Sequence, residues 1–218
     1  MNKQVTSTQK RSTSVRTMLE VSAVIATGIL HLVFIEVFQA NAWFIALAIV
    51  CWTIYIAFRI HRDDSALSSW GFRSINLRKT LITSSIVVAI AIFAMIAISK
   101  GKLFFHWHML PLLLLYPIWG LIQQFLVQAM VVNNLTMISD RRSFRWMVTI
   151  LAAVLFGLVH IPDLELMAAT FCLGLAFTPI YLSWRNLWPL GIYHGWLGVL
   201  FYFWVLGRDP WLEVLGSL

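Results

Sequence analysis

The sequence predicts an all-α protein, a polytopic bundle of seven to eight transmembrane helices. Of its 218 residues, 60% are hydrophobic and only 11% are charged, whereas about 25% of the residues of a soluble domain are charged. The apolar residues are collected in runs of about 20, the length that crosses a bilayer as a helix. The net charge of +7 comes from residues that flank these runs. That placement favours a protein of the lipid bilayer and excludes a nucleic-acid-binding protein.

The elements follow in order along the chain. Residues 1–17 are polar and basic, and we expect them to form a disordered cytoplasmic tail. The next run is longer than the apolar core of a signal peptide, so it is predicted to be an uncleaved first span. The bundle extends over residues 18–206, and a short C-terminal tail follows at 207–218. The seven predicted spans are 18–39, 42–58, 80–99, 109–138, 146–161, 164–184 and 187–206.

The fourth run is long enough to raise a second possibility for the number of spans. Pro111 and Pro117 allow it to be split into two, which would give eight spans and move the C-terminus across the membrane. With seven spans and a cytoplasmic N-terminus, thirteen Lys and Arg residues lie on the cytoplasmic side and three on the other. This asymmetry predicts an integral protein with its N-terminus inside, and we expect a prokaryotic cytoplasmic membrane. Between the second and third spans, Trp70-Gly71-Phe72-Arg73 mixes aromatic and basic residues and predicts a short interfacial segment.

Two histidines lie inside predicted spans. His160 follows Phe156-Gly157-Leu158-Val159 near the outer end of the fifth span, and His194 lies within the seventh. An ionisable ring in hydrocarbon is costly and is a functional-site candidate by default. A neutral imidazole can act as a general base or bind a metal such as zinc. The alternative is that each ring makes an interhelical hydrogen bond and nothing more.

Three glutamines form a further polar cluster in the fourth span. Gln124 and Gln128 are four residues apart and share a helix face, whereas Gln123 is turned about 100° away. Gly120 lies on the shared face and would let another helix approach closely. The cluster is either a helix–helix hydrogen-bonding patch or the polar wall of a cavity. An amide donates and accepts hydrogen bonds but does not take a proton from water near neutral pH.

Other polar residues are weaker candidates. His106 and His108 form an H-x-H motif in the loop after the third span, which would bind a metal only if the two rings faced the same way. Asp163 could orient the ring of His160, as carboxylates often do for histidines. Glu20 is predicted to reach water at the inner interface. The cysteines, at positions 51 and 172, are predicted to be small core residues without a disulfide or metal role.

The order of these motifs resembles the CPBP family, the membrane-embedded CAAX proteases and bacteriocin-processing (Abi) proteins. The resemblance is carried by the glutamine-bearing helix, Phe-Gly-Leu-Val-His at 156–160, Arg-Asn-Leu-Trp-Pro at 185–189 with His194, and the segment 70–73. It implies a bundle of seven or eight helices around a water-filled cavity. It also implies peptidase activity through a Glu-Glu-x-x-x-Arg motif, an F-x-x-x-H motif and an H-x-x-x-Asn motif that bind a water or a metal.

Against that pattern, Gln123, Gln124 and Gln128 replace both glutamates and the arginine, and Gly198 replaces the asparagine. One hypothesis is an intramembrane peptidase that cleaves a peptide or a prenylated substrate near the membrane surface. It assigns catalysis to His160, His194, Gln123 and Gln124 and the cavity lining to Gln128, Phe156 and Gly198, with zinc as a candidate metal at the two histidines. The alternative is a pseudoprotease that binds a peptide or lipid partner without catalysis. A third hypothesis is a metal-dependent lipid or isoprenoid enzyme that uses these two histidines together with His106 and His108.

Overall fold

The computed structural model describes residues 2–38, 41–99, 103 and 105–215, and within these ranges all regular structure is helical. This confirms the predicted all-α fold. The elements are α1 (Asn2–Glu36), α2 (Asn41–Arg62), α3 (Ala66–Trp70), α4 (Leu77–Ile98), α5 (Met109–Gln124), a π-helical segment (Phe125–Val132), α6 (Asn133–Thr136), α7 (Arg142–Leu158), α8 (Leu164–Trp184), α9 (Trp188–Phe201), a second π-helical segment (Tyr202–Leu206) and α10 (Pro210–Leu215).

Six helices in the described part of the chain have the length and hydropathy to cross a membrane. They extend over Val15–Phe34, Trp43–Arg62, Leu77–Ile98, Met109–Thr136, Leu164–Trp184 and Trp188–Leu206. The seventh predicted span is α7, which has 17 residues, the lower limit for a helix that spans hydrocarbon. It packs closely along α8, because a Cβ at Gly174 would lie 2.8 Å from the Cα of Ala153. We therefore count α7 as part of the bundle.

The fourth run is one helix rather than two. Met109–Thr136 is a continuous element of 28 residues, about 42 Å long at 1.5 Å per residue. Pro111 falls in the first turn, where a proline costs no intrahelical hydrogen bond, and Pro117 is accommodated inside α5. The structure therefore favours a count of seven. Six of the eight residues of the π-helical segment are buried, among them Phe125, Ala129 and Met130.

Three glycines bring α5 and α9 into close contact. A Cβ at Gly120 would lie 2.3 Å from the carbonyl oxygen of Gly191, and a Cβ at Gly195 would lie 2.6 Å from the backbone nitrogen of Pro117. Small residues permit such approaches between membrane helices, where association depends on van der Waals packing and hydrogen bonds. The close approach predicted at Gly120 is confirmed, and it places the glutamines of α5 beside α9.

In the segment Trp70-Gly71-Phe72-Arg73, the first two residues are buried and the last two are half-buried. The prediction of an interfacial segment is wrong for Trp70, which is 3% exposed. The backbone and side chains of the segment bind the junction between α8 and α9, which we call the Arg185 end of the bundle. Arg73 donates to the carbonyl oxygens of Trp184 and Arg185 at 3.0 and 2.9 Å. Gly71 has a φ of +103°, a left-handed conformation that favours glycine. The segment therefore closes this end of the bundle.

The N-terminal region also differs from expectation. Helix α1 begins at Asn2, whereas the composition had predicted a disordered tail. Glu20 does not reach water, because it is 6% exposed and is bound by Tyr55, Arg59 and Asn134. The Asn134 amide donates to Glu20 Oε2 at 2.6 Å. The ion pair between Arg59 and Glu20, together with these hydrogen bonds, satisfies a carboxylate that is buried at the Arg185 end, as buried charges require.

The outer surface of the bundle is apolar. Leu114 is 78% exposed and Phe93 is 76% exposed, as expected for side chains that face lipid. Cys51 and Cys172 are exposed on the same kind of surface, so the prediction that both are core residues is wrong. Lipid tails are as apolar as the interior of the bundle, so an apolar side chain is not driven from the lipid-facing surface into the core.

Candidate functional site

A chain of neutral polar groups crosses the centre of the bundle. The amide Nε2 of Gln124, the last residue of α5, lies 3.3 Å from His194 Nδ1 on α9. Gln128 Nε2 donates to Gln124 Oε1 at 3.3 Å and to Thr178 Oγ1 of α8 at 3.1 Å. Gln124, Gln128 and Thr178 are fully buried, and His194 is 7% exposed. The chain therefore joins three helices in the interior.

The directions of these hydrogen bonds define which ring nitrogen of His194 carries the proton. Gln124 uses its oxygen to accept from Gln128, so its NH₂ group faces His194 and donates to Nδ1. The lone pair of Nδ1 is then occupied, and the ring proton lies on Nε2. In this arrangement His194 offers an N–H donor to a bound group.

His160 has the opposite tautomer. It lies in the turn that follows α7, and its Nδ1 is 2.8 Å from the carbonyl oxygen of Phe156. A carbonyl oxygen only accepts, so Nδ1 carries the proton and Nε2 keeps its lone pair. Thr170 Oγ1 lies 3.3 Å from the same Nδ1 and packs the ring from α8. His160 therefore offers an acceptor.

Phe156 lies between the two histidines. Its ring centroid is 5.6 Å from that of His160 and 5.0 Å from that of His194, with both pairs edge to face. The phenylalanine of the F-x-x-x-H motif thus supports both imidazoles, and its own carbonyl oxygen fixes the tautomer of one of them. Helix α1 completes the surroundings, because His31 Nδ1 lies 3.1 Å from the carbonyl oxygen of Val159.

Two of the predicted site residues lie outside this network. Gln123 is half-buried and takes no part in the hydrogen bonds that join Gln124, Gln128 and Thr178. Gly198 lies one turn beyond His194, and a Cβ there would meet only the ring of Tyr116 at 3.7 Å. Thr178 and Thr170 were missed by the sequence reasoning, because a threonine in an apolar helix commonly bonds its own backbone. The i, i+4 spacing of Gln124 and Gln128 correctly predicted their shared face.

No carboxylate among the described side chains hydrogen bonds to His160 or His194. Asp163, predicted as a partner that could orient His160, instead caps α8 by accepting from the backbone N–H of Leu166 at 3.1 Å. Its other oxygen binds Arg208 at 2.5 Å. The carboxylate of Glu20 is occupied by the network at the Arg185 end. The centre is consequently built from neutral groups.

A second polar cluster lies at the opposite end, near Arg208. The cluster consists of His106, His108 and Asp209, whose ligand atoms all lie within 4.8 Å of one another. Among the described residues, it is the group of three side chains with a spacing that can hold a metal ion. The two histidines of the H-x-H motif therefore do face the same way. His160 and His194 do not belong to a group of three such residues there. A surface pocket of about 330 Å³ lies elsewhere, lined by residues that include Asp140, Arg142 and Arg145.

Comparison with known proteins bears directly on this arrangement. Residues 105–200 match the family described as Type II CAAX prenyl endopeptidase Rce1-like. The match supports the CAAX protease family for this part of the chain. Neither the curated proteins nor the solved structures contain a match to the chain.

The matched region contains all the residues of the central polar network. Gln124, His160, Thr178 and His194 lie within it, whereas Trp70–Arg73 and Asp209 lie outside it. The CAAX protease resemblance of the sequence is thus confirmed for the helices that form the centre. The match supports an intramembrane peptidase-like fold for these helices.

Proposed function

We propose that this CAAX-protease-like protein binds the polypeptide of a membrane-borne, lipidated substrate at His160 and His194 without hydrolysing it. The observation that carries the proposal is the pairing of Gln124 with His194. The glutamine occupies a position where the family pattern has a glutamate, and it engages the histidine directly. Glutamine and glutamate have side chains of the same shape and differ only in an NH₂ group in place of one carboxylate oxygen. The substitution therefore keeps the packing of the centre but removes its carboxylate base.

The two histidines are complementary to a peptide group. His194 offers an N–H and His160 offers a lone pair, whereas a peptide bond offers a carbonyl acceptor and an N–H donor. A peptide group in a low-dielectric interior needs both partners, because an unsatisfied polar group there costs about 1–3 kcal/mol. The centre can therefore hold an extended chain by its backbone, independently of the side chains that the chain carries.

Hydrolysis would require a group that takes a proton from water. Neither Gln124 nor Gln128 can do so near neutral pH, and the loss of a general base commonly costs about 10²–10⁴-fold in rate. Among the described carboxylates, Glu20 and Asp163 are each already bound to an arginine. The neutral centre consequently supports recognition better than catalysis.

The proposed ligand follows from the setting. The centre lies inside an apolar bundle whose surface faces lipid, so a ligand that is itself anchored in the bilayer can reach it by lateral diffusion. A polypeptide with a prenyl or acyl chain has the required combination of an apolar anchor and backbone amides. The prenyl endopeptidase description of the matching family is consistent with a ligand of this kind.

Binding of a fluorescent farnesylated peptide to the full-length protein in nanodiscs tests the proposal. Gln124→Ala removes the amide that fixes the tautomer of His194, and we expect it to weaken binding about 5- to 100-fold, as for the loss of a buried hydrogen bond. Gln123→Ala is the matched control, because it deletes an adjacent amide outside the network and should leave the affinity within about 2-fold. Equal effects of the two variants would contradict the assignment.

A second candidate function is peptide hydrolysis with His160 as the general base, and one observation favours it. The bond from Nδ1 to the Phe156 carbonyl leaves Nε2 of His160 free to accept a proton. Gln124 would then stabilise an oxyanion, as side-chain amides do. Cleavage of the same peptide by the wild-type protein, lost in His160→Ala, would establish this candidate and overturn the first. If the protein instead binds the peptide without hydrolysing it, the wild-type protein does not cleave the peptide. Cleavage then appears only after Gln124→Glu restores a carboxylate, or not at all.

A further inference from the structure

The cluster at the Arg208 end brings together residues from distant parts of the chain. His106 and His108 lie just before and at the start of α5, and Asp209 precedes α10. Asp209 Oδ2 is 2.5 Å from His108 Nδ1 and 3.6 Å from His106 Nδ1. One carboxylate oxygen thus faces two imidazole nitrogens. We propose that these three side chains bind a divalent transition-metal ion, with zinc as the best chemical fit.

The cluster is held in place by contacts outside itself. The backbone N–H of Trp211 donates to Asp209 Oδ1 at 3.0 Å, which directs the other oxygen toward the histidines. The ring of His108 stacks on Trp211 at 5.6 Å, and that of His106 stacks on Phe203 at 6.2 Å. The backbone N–H of His108 lies 3.3 Å from His106 Nδ1, so this nitrogen carries a lone pair, and a bound ion would take that lone pair in place of the hydrogen bond. Partners of this kind orient the ligands of metal sites and raise their affinity.

The ligand set and its spacing suit tetrahedral zinc. Two imidazoles and one carboxylate are a common three-ligand set, with bonds of about 2.0–2.2 Å. Bonds of that length at tetrahedral angles separate the ligand atoms by about 3.3 Å. The distance from Asp209 to His106 is already near this value, and the hydrogen bond from Asp209 to His108 must open by about 0.8 Å and lose its proton. His106 is half-exposed, so water can fill the fourth position.

The ion would have a structural role distinct from the central site. It would tie the C-terminal segment to the start of α5, across 101 positions of sequence between His108 and Asp209. A second tie in the same region is ionic, because Arg208 binds Asp163 at 2.5 Å and Glu213 at 2.6 Å. His160 and His194 contribute no ligand to this cluster. Zinc binding is therefore predicted to be independent of them.

The test uses the full-length protein without a histidine tag, stripped with EDTA and purified in detergent. Titration with Co²⁺, followed by its visible absorption, and competition by Zn²⁺ against a chromogenic chelator should both give one ion per chain. Zinc at about 100 times its dissociation constant should raise the apparent melting temperature by roughly 5–10 °C. Asp209→Asn and His106→Gln should each weaken zinc binding at least about 10-fold, since each removes or alters one ligand.

The matched control is His160→Ala/His194→Ala, which should keep stoichiometric zinc. Each ligand variant must elute as a single species in gel filtration, and two single variants are used so that misfolding of one leaves the other informative. The proposal is overturned if the wild-type protein binds no stoichiometric zinc. It is equally overturned if binding survives both ligand variants, or if it is lost in the His160→Ala/His194→Ala control.

Discussion

At the scale of single residues, the centre depends on which small side chains the helix crossing tolerates. Gly120, Gly191 and Gly195 form the contact between α5 and α9, and none of them has room for a Cβ. Gly198 is on the same helix as the last two but meets only ordinary van der Waals distances. The four glycines look alike in the sequence, and their different surroundings make them separable by mutation.

Gly120→Ala is predicted to destabilise the protein, and Gly198→Ala is its matched control. The new Cβ at position 120 would overlap the carbonyl oxygen of Gly191 at 2.3 Å, and relief requires the helices to separate. Overpacking of this kind costs about 1–3 kcal/mol, which we expect as a lower apparent melting temperature in detergent. Gly198→Ala should change that temperature little. A smaller effect at position 120 than at position 198 would show that the crossing is not as close as described.

At the scale of elements, the Trp70–Arg73 segment acts as a closure of the Arg185 end. Besides the two bonds from Arg73, Asn186 Nδ2 returns a hydrogen bond to the Arg73 carbonyl oxygen at 2.5 Å, and Tyr181 OH donates to the Trp70 carbonyl oxygen at 2.9 Å. Two motifs that are more than a hundred positions apart are therefore parts of one structural unit.

Arg73→Ala is expected to loosen this closure, whereas Arg78→Ala is not. Arg73 is half-buried and binds two carbonyl oxygens, but Arg78 is exposed on α4. Loss of hydrogen bonds from a charged group costs about 1.5–3 kcal/mol each. Hydrogen exchange of residues 66–76 in detergent should become faster in Arg73→Ala and remain unchanged in Arg78→Ala. Unchanged exchange in both variants would contradict the proposed role of Arg73.

At the scale of the whole molecule, the number of crossings fixes the sides on which the loops lie. Helix α7, with 17 residues, is shorter than each of the six other spans, so the positions of its two flanking segments decide whether it crosses. Asp140 precedes it and Glu165 follows it, and both are exposed. With a cytoplasmic N-terminus, Asp140 and neighbouring Ser139 lie inside and Glu165 lies outside.

Cysteine labelling of intact cells measures this arrangement. After Cys51 and Cys172 are replaced by serine, Glu165→Cys should react with a membrane-impermeant maleimide from outside, whereas Asp140→Cys should react only after permeabilisation. The positive-inside asymmetry is the physical reason for that orientation. Labelling of both positions from the same side would show that α7 does not cross, and labelling of Asp140→Cys alone would invert the topology.

The helical fold, the apolar spans and the face shared by Gln124 and Gln128 could all be predicted from the amino-acid sequence. Those features depend on composition and on the periodicity of one helix, and both are local properties of the chain. Three features became visible only in the folded chain: Gln124 rather than Gln123 meets His194, Trp70 is buried, and Asp209 joins His106 and His108. Such pairings depend on how closely and at what angle helices cross. That geometry is set by packing between residues that are distant in the chain, so no local pattern encodes it.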